Sequence, residues 1–275
     1  MEKFYFGVCV KEDYALIKEL VSLRKDLDDV GVLCNAFYYK TKAATRKIIE
    51  NCQQELKIDV IGDSGEIQVY RQQVLFPREK LVDVYRTVKP KFAFAPDKIG
   101  SPTESLLSLC DFIKQNNDLD LAAPLQAHNN GLLFADKIQE EISILKENGY
   151  ERFGVGKPYK LKFSRRETGQ EIIPRVRPNV KYLHFLGCPL GRGISGLNLC
   201  ESADVGTFPI MSLYGVGIYK NPFEGARLLS ALMDVDRSVS DLHDKKIQVF
   251  NMSDVESKKS QDISQFRLDE VVDQV

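Results

Sequence analysis

Two aspartates that lie far apart in the sequence are the residues best placed to carry out chemistry. Asp63 stands in the segment 62–68, Gly-Asp-Ser-Gly-Glu-Ile-Gln, directly after the apolar run 58–61. Asp204 stands in the segment 201–209, Glu-Ser-Ala-Asp-Val-Gly-Thr-Phe-Pro. If both segments end strands of one barrel, their two carboxylates meet over one pocket. Such a pair can break and remake a bond at the anomeric carbon of a sugar, with one carboxylate acting as nucleophile and the other moving the proton.

Strand-like and helix-like segments alternate along most of the chain. Short β-rich apolar runs cover 4–10, 32–38, 58–61, 92–95, 121–125, 153–155, 181–186 and, weakly, 202–205. Amphipathic helical patterns cover 14–27, 43–54, 80–88, 103–115 and 131–148. Strands that alternate with helices pair in parallel through right-handed crossovers, and eight such units form a TIM-type (β/α)8 barrel. An open doubly wound sheet is the alternative arrangement for this α/β pattern.

The predicted barrel is a single catalytic domain over residues 1–233, with a basic insertion after the sixth strand. Residues 234–275 are acidic and polar, and only the run 247–250 in them is strand-like. A segment of this composition buries little apolar surface. It is therefore predicted to form a short C-terminal extension that is partly disordered.

Composition limits the class of protein. A chain of 275 residues can bury one large core, and a net charge of −1 argues against a strongly basic coat for nucleic acid. The six cysteines have no CxxC spacing and no signal peptide is evident, which indicates reduced thiols in a cytoplasmic protein. No apolar run approaches the length of a membrane span, so no membrane partner is expected.

Positive charge is concentrated in residues 157–181, which contain eight basic residues against two acidic ones. Charge of this density in one insertion is typical of a surface that follows the phosphates of a nucleic acid. A solvated loop is the alternative interpretation. The candidate nucleic-acid-binding residues are Lys157, Lys160, Lys162, Arg165, Arg166, Arg175 and Arg177.

The predicted carboxyl ends of the strands are polar and rich in glycine, as expected for the active-site face of a TIM barrel. Besides Asp63 and Asp204, Asp97 follows the fourth predicted strand and Gln126 follows the fifth. The run Gly-Val-Gly at 154–156 ends the sixth. Each of these residues alone is also typical of a turn. Their shared placement is what indicates a site.

Several short motifs resemble those of one family. They are Asp-Ser-Gly-x-x-Gln at 63–68, Gly-Val-Gly at 154–156, Tyr-Leu-His-Phe-Leu-Gly at 182–187 and the Asp204 segment that ends in Phe-Pro. In this order they are similar to the motifs of the tRNA-guanine transglycosylase superfamily, and the resemblance runs from about residue 60 to about residue 214. Members of that family exchange guanine for a 7-deazaguanine base without breaking the nucleic-acid backbone.

The resemblance implies a role for each matching residue. Asp204 resembles the nucleophile that attacks C1′ of the target nucleotide and forms a covalent intermediate, and Asp63 resembles the acid/base that serves the departing and arriving bases. Asp97 resembles the carboxylate that accepts hydrogen bonds from the guanine-like Watson–Crick edge. The other positions that resemble base-binding residues are Ser64, Gln68, Gln126, Gly154, Gly156 and Leu186. His184 alternates with apolar neighbours, which indicates a core residue or one that lies behind the site.

Departures from the family pattern favour its DNA-modifying branch. Cysteine is absent after Cys200, so the zinc site of the tRNA enzymes cannot form there and no cofactor is expected. Lys157 replaces a glutamate of the family, which fits a neutral, preQ0-like base better than an aminomethyl base. The predicted enzyme is therefore a glycosyltransferase, a DNA 7-deazaguanine transglycosylase. Its partners are DNA, a free 7-deazaguanine base as co-substrate, and a helper protein or a second copy of the chain.

Three other functions stay open at this stage. The same chemistry can act on tRNA in place of DNA. The chain can also be a non-catalytic nucleic-acid-binding subunit of such an enzyme, although retention of both Asp63 and Asp204 argues against that role. An unrelated TIM-barrel hydrolase that acts on a small sugar is the third alternative, and it leaves the basic segment 157–181 without a function.

Overall fold

The predicted barrel is confirmed by a computed structural model of the chain. The structure describes residues 3–24, 27–98, 101–125, 134–156, 172–188, 190–191, 196–206 and 221–244. Eight parallel strands close into one barrel in chain order. The strands are β1 (Lys3–Gly7), β2 (Val30–Asn35), β3 (Asp59–Asp63), β4 (Ala93–Phe94), β5 (Leu121–Pro124), β6 (Arg152–Gly156), β7 (Tyr182–Leu186) and β8 (Ser202–Gly206). β1 pairs with both β2 and β8, which closes the barrel.

Helices follow the strands and cover the outside of the barrel. The described helices are α1 (Glu12–Leu23), α2 (Ala36–Thr41), α3 (Ala43–Asn51), α4 (Glu66–Gln72), α5 (Arg78–Val88), α6 (Pro102–Gln115), α7 (Phe134–Glu147), α8 (Ile173–Val176) and α9 (Pro222–Asp244). The last helix packs on the first, beside an ionic cluster in which Asp29 binds both Arg24 and Arg237. None of the described helices is long and apolar enough to cross a membrane.

Two apolar layers result from the alternation of side chains along each strand. The larger layer fills the space between strands and helices, and it contains Ile138, Ile142 and Leu145 of α7. The smaller layer lies inside the barrel and consists of Tyr5, Ile61, Phe92, Phe94 and Ala122, with Leu33, Tyr182 and Leu186 packed against it. The barrel is thus a packed core, and ligands must bind at its rim.

Two strands end earlier than the sequence predicts, for the same physical reason. The run 4–10 stops at Gly7, because the N–H groups of Cys9 and Val10 donate to the Asp13 carboxylate at 2.7 and 2.9 Å. The run 32–38 stops at Asn35, whose side chain accepts the N–H of Tyr38 and so begins α2. In both places a side chain accepts hydrogen bonds from backbone N–H groups that would bond to a neighbouring strand if the strand were longer.

Helices α2, α4, α8 and α9 are additions to the predicted elements. The predicted boundary between residues 233 and 234 falls inside α9, and the division into a barrel and an extension stays a prediction. The strand-like run 247–250 lies outside the described residues.

Candidate active site

Asp63 is held by side chains at the adjacent ends of β2 and β3. Asn35 lies opposite Asp63 in the parallel register. Asn35 Oδ1 accepts the N–H of Tyr38 at 3.1 Å, which turns the amide so that Nδ2 donates to Asp63 Oδ2 (2.5 Å) and to Gln68 Oε1 (3.0 Å). The start of α2 therefore sets the orientation of the Asp63 carboxylate. Asn35 is a site residue that the sequence hides, because it lies within a predicted strand.

A tight turn between β3 and α4 adds a backbone donor to the same carboxylate. Gly65 precedes α4 with φ +79°, and its backbone hydrogen-bonds to Asp63. A Cβ at this position would lie 2.8 Å from the Cβ of Phe37 and 3.0 Å from Asn35 Oδ1. Both the backbone angle and the space therefore require glycine. Ser64, in the same turn, is buried.

The loop after β4 presents Asp97 and is fixed by two buried serines of α6. Ser105 Oγ accepts the N–H of Lys98 at 2.7 Å and donates to its carbonyl at 2.9 Å. Ser108 Oγ donates to the carbonyl of Pro96 at 3.3 Å. The backbone on each side of Asp97 is thus tied to a helix. This limits the positions that the carboxyl group can take.

Three carboxyl groups at this end of the barrel titrate above their ordinary range. Burial, followed by repulsion from Asp204, raises the pKa of Asp63 to about 6. Burial, followed by repulsion from Glu66, raises the pKa of Asp97 to about 7. Burial also raises the pKa of Glu66, while the positive charge of Lys98 acts in the opposite direction. Carboxyl groups tuned in this way can both give and take a proton near neutral pH.

Asp204 is a buried carboxylate on β8 with a fixed orientation. Its Oδ1 atom accepts the N–H of Gly187 at 2.9 Å and lies 3.0 Å from His184 Nε2. Its carbonyl accepts the N–H of Cys188 at 2.7 Å. Since the Asp204 charge acts on the pKa of Asp63, the two aspartates lie near each other at the same end of the barrel.

Behind Asp204, polar side chains continue into the barrel interior. His184 Nδ1 lies 2.7 Å from Ser202 Oγ, which in turn lies 2.7 Å from the hydroxyl oxygen of Tyr182. His184 has no exposed surface. The pattern of β7 places His184 in the interior, but the sequence does not reveal its bond to Asp204. That bond depends on the register of β7 against β8, where His184 lies opposite Ser202.

The predicted base-binding residues of β6 and β7 pack against one another. A Cβ on Gly154 would lie 2.5 Å from Phe94 Cε1 and 3.0 Å from Leu186 Cδ1. A Cβ on Gly156 would lie 2.7 Å from Leu186 Cβ. These close contacts give a packing reason for both glycines. No contact with a base is needed to explain them.

The predicted nucleic-acid-binding residues divide into two sets. Arg177 forms an ion pair with Glu201 at 2.5 Å and donates to the carbonyl of Lys181 at 3.2 Å, just before β8 and β7 begin. Arg175, four residues before Asn179 in the same connection, is exposed. These two arginines therefore lie at the amino-terminal end of the barrel, away from the carboxylates. The predicted residues outside the described part of the chain are Gln126, Lys157, Lys160, Lys162, Arg165 and Arg166.

Two surface clefts lie away from the carboxylate site. One, of about 360 Å³, is lined by α5 and α6 residues such as Arg78 and Phe112. The other, of about 510 Å³, lies near the amino-terminal ends of β4 and β5, beside Lys89 and Asp120. In the described ranges, no group of three histidine, cysteine, aspartate or glutamate side chains is arranged to hold a metal ion. The expectations of no cofactor, of DNA, tRNA or a free base as partner, and of a helper protein or second copy stay predictions.

Comparison with known proteins identifies a fold and no family. No family model matches the chain, and no curated protein matches it. The chain is similar to a mutant tryptophan synthase α-subunit from Pyrococcus furiosus (TM-score 0.53, 7% identity, 86% of this chain and 98% of that one). It is also similar to the YdjI aldolase from Escherichia coli K12 (0.52, 13%, 88% and 90%) and to phosphoenolpyruvate phosphomutase from Streptomyces platensis subsp. rosaceus (0.50, 9%, 96% and 92%).

The predicted membership of the tRNA-guanine transglycosylase superfamily is wrong. The three solved structures named above are an aldolase, a phosphomutase and a synthase subunit, and not enzymes that exchange guanine bases. The predictions of a glycosyltransferase and of base exchange in DNA or in tRNA are wrong for the same reason. The resemblance depended on short runs of Asp, Gly and Ser at strand ends. In this chain the turn at Gly65 and the close packing around Gly154 and Gly156 explain why these residue types occur there.

Proposed function

We propose that this chain is a TIM-barrel enzyme of the lyase or mutase type that acts by general acid–base catalysis. Asp63 and Asp97 are the proton-transferring groups, and Asp204 is a fixed carboxylate beside them. The observation that carries the proposal is the placement of Asp63 at the end of β3, Asp97 after β4 and Asp204 on β8, at one end of the barrel. Burial and the neighbouring Asp204 raise the pKa of Asp63 to about 6 there. Carboxyl groups in differing environments at one site are suited to act as acid and base in turn.

The substrate class follows from the charge of the site. Asp63, Glu66, Asp97 and Asp204 offer oxygens that accept hydrogen bonds, and Asn35 supports the first of them. The hydroxyl groups of a small polyhydroxy carbonyl compound supply the matching hydrogen-bond donors. The rim of the barrel, at the carboxyl ends of the strands, is where TIM-barrel enzymes bind such molecules.

A reaction of the aldol-cleavage type fits these groups. A carboxylate takes the proton of a substrate hydroxyl, and the oxygen electrons form a carbonyl as the adjacent carbon–carbon bond breaks. The electron pair of that bond passes to the fragment that holds the original carbonyl, which becomes an enolate. A protonated carboxyl group, Asp63 or Asp97, then donates a proton to the enolate carbon. The similarity in fold to an aldolase supports the choice of this chemistry.

Solvent exchange tests the proposal without knowledge of the physiological substrate. An enzyme that forms an enolate exchanges the carbon-bound proton next to the carbonyl with deuterium from D2O. Proton NMR of a panel of small hydroxy ketones, hydroxy aldehydes and 2-keto acids follows this exchange directly. We expect the wild type to label at least one compound, and Asp63→Asn to slow that labelling by about 100-fold or more.

A matched control separates the site from general effects of charge removal. Asp120 binds Arg152 at the amino-terminal end of the barrel, so Asp120→Asn removes an aspartate at the opposite end. Its exchange rate should equal that of the wild type. The proposal fails if no compound exchanges, or if Asp63→Asn exchanges as fast as Asp120→Asn.

We also propose a cytoplasmic location. Cys34, Cys52, Cys110 and Cys200 are free thiols, and free thiols persist in reducing compartments. Burial raises the pKa of Cys34 and Cys200, which keeps both thiols protonated and unreactive.

A further inference from the structure

A line of polar side chains, of which Tyr182 is partly buried and the others are buried, runs from the barrel interior to Asp204. It begins at Tyr182 and passes through Ser202 and His184, with separations of 2.7, 2.7 and 3.0 Å between successive polar atoms. Alternate residues of neighbouring parallel strands supply it, two from β7 and two from β8. The acid–base roles of Asp63 and Asp97 do not by themselves require this line.

The proton positions in the line are fixed by its last member. An ionised Asp204 only accepts hydrogen bonds, so His184 Nε2 must carry a hydrogen. In a neutral imidazole Nδ1 then accepts, and the Ser202 hydroxyl must donate to it. Ser202 Oγ is thereby free to accept from the Tyr182 hydroxyl. Every donor in the line then points toward Asp204 Oδ1.

The surroundings of His184 favour the neutral ring. The side chain has no exposed surface, and the rings of Tyr5, Phe92 and Phe94 lie around it at centroid distances of 6.1, 6.1 and 5.2 Å. Transfer of a charged imidazolium into such an environment is costly unless a partner compensates it. The charged groups that face the line are Asp204 at one end and Arg152, whose guanidinium lies 5.0 Å from the Tyr182 ring centroid, at the other.

Asp204 receives this donor on one oxygen only. Both His184 Nε2 and the N–H of Gly187 bind Oδ1. Among the residues that the structure describes, no hydrogen-bond donor binds the other carboxylate oxygen of Asp204. A neutral donor that approaches from a fixed direction fixes the carboxylate plane while leaving its charge in place.

We infer that His184 is a positioning residue for Asp204, and that the Tyr182–Ser202–His184 line holds His184 in the single neutral tautomer that carries its hydrogen on Nε2. The inference rests on the proposed function for the importance of Asp204 to the reaction. The tautomer itself is a property of the folded protein and is measurable without a substrate.

Nitrogen NMR reads the tautomer directly. The chain has three histidines, so ¹⁵N-histidine labelling yields three ring systems, and the spectrum of His184→Gln assigns the missing one. We expect the Nε2–H form of His184 to exceed the Nδ1–H form by about tenfold or more, because only the first supplies a donor to a charged acceptor. A doubly protonated ring, or a ring with its hydrogen on Nδ1, overturns the inference.

A pair of variants of equal shape tests the role of the Ser202 hydroxyl. Ser202→Thr keeps the hydroxyl and Ser202→Val replaces it with a methyl group, so both variants add similar bulk at this buried position. Because Asp204 sets the position of the ring hydrogen, both variants should keep it on Nε2. The valine variant should unfold at a lower urea concentration than the threonine variant, because it leaves the buried Nδ1 atom without a hydrogen-bond donor. Circular dichroism follows the unfolding of both variants, and equal stability of the two contradicts the role of the Ser202 hydroxyl.

Activity separates this inference from the proposed function. His184→Gln keeps an N–H near Asp204 and His184→Leu does not. With any compound found by the solvent-exchange screen, glutamine should retain at least about ten times more kcat than leucine at a similar KM. Equal loss in both variants overturns the positioning role. If the wild type exchanges no compound, the proposed function fails, and the tautomer measurement still decides the inference about His184.

Discussion

Replacement of Asp63 by asparagine should stabilise the folded protein at neutral pH. The ordinary pKa of this carboxyl group is 3.8, and burial together with Asp204 raises it to about 6 in the folded chain. A carboxyl group with a raised pKa binds more protons in the folded state than in the unfolded one. Its contribution to stability is therefore fully present below the unfolded value and is lost as the pH rises through the folded value. Asparagine binds no proton and has the same shape.

The size of the effect follows from the two pKa values. The interval from 3.8 to about 6 corresponds to about 3 kcal/mol in the free energy of unfolding. The hydrogen bonds from Asn35 and Gly65 already oppose the shift and are included in it. Because the Asp63 side chain keeps partial contact with water, 3 kcal/mol is an upper value. The free energy of unfolding of Asp63→Asn, relative to that of the wild type, should rise by up to about 3 kcal/mol as the pH increases from 4 to 8.

Urea unfolding followed by circular dichroism measures this difference at a series of pH values and constant ionic strength. Asp118→Asn is a control of opposite sign, because a hydrogen bond from Arg86 lowers the pKa of this exposed carboxyl group. The contribution of Asp118 is lost as the pH falls, so its variant should not gain stability toward pH 8. If the difference between Asp63→Asn and the wild type is constant across the series, or grows toward acid, the reasoning is wrong.

Four further substitutions test close backbone contacts and one ionic cluster of the fold. Gly154→Ala should lower the free energy of unfolding, measured with urea, by about 2 kcal/mol or more. Gly7→Ala is the control. It should lower this free energy by less than about 1 kcal/mol, because the added Cβ would lie 3.7 Å from its nearest atom. Gly65→Ala should cost about 1–3 kcal/mol by the same measurement, because of its φ of +79° and its close contacts. Asp29→Ala should lower the free energy of unfolding by about 3 kcal/mol, because it removes the partly buried carboxylate that pairs with both Arg24 and Arg237. The variant should be equally stable in 1 M salt and in dilute buffer, and a variant as stable as the wild type would contradict this prediction.

The order of strands was predictable because each strand is a short apolar run that is separated from the next by a polar segment. The ends of strands were less predictable. Asp13 and Asn35 end β1 and β2 with side-chain hydrogen bonds to the backbone, and apolar pattern does not report such bonds. Helix α4 was missed since none of its residues is buried, so it has no apolar face to reveal it.

The placement of the candidate site was predictable for a geometric reason. The carboxyl ends of parallel strands meet at one end of a barrel, so strand ends alone place Asp63, Asp97 and Asp204 there, and their roles stay predictions. Asn35 and His184 were not assigned to the site, because each lies within a predicted strand and acts through the register of neighbouring strands. The family was not predictable from the same motifs, because turns at strand ends use aspartate, glycine and serine in many unrelated barrels.

The coupling between the two aspartates is the direct measure of whether they share one site. Carbon-detected NMR of ¹³C-labelled aspartate follows the titration of the Asp63 carboxyl group in the wild type and in Asp204→Asn, whose amide oxygen can still accept from His184 and Gly187. The wild type should titrate near pH 6, and the variant at a distinctly lower pH, because the repulsion from Asp204 is gone. An Asp63 titration that is the same in both proteins, or that lies near 3.8 in the wild type, would show that the two carboxylates do not act on each other.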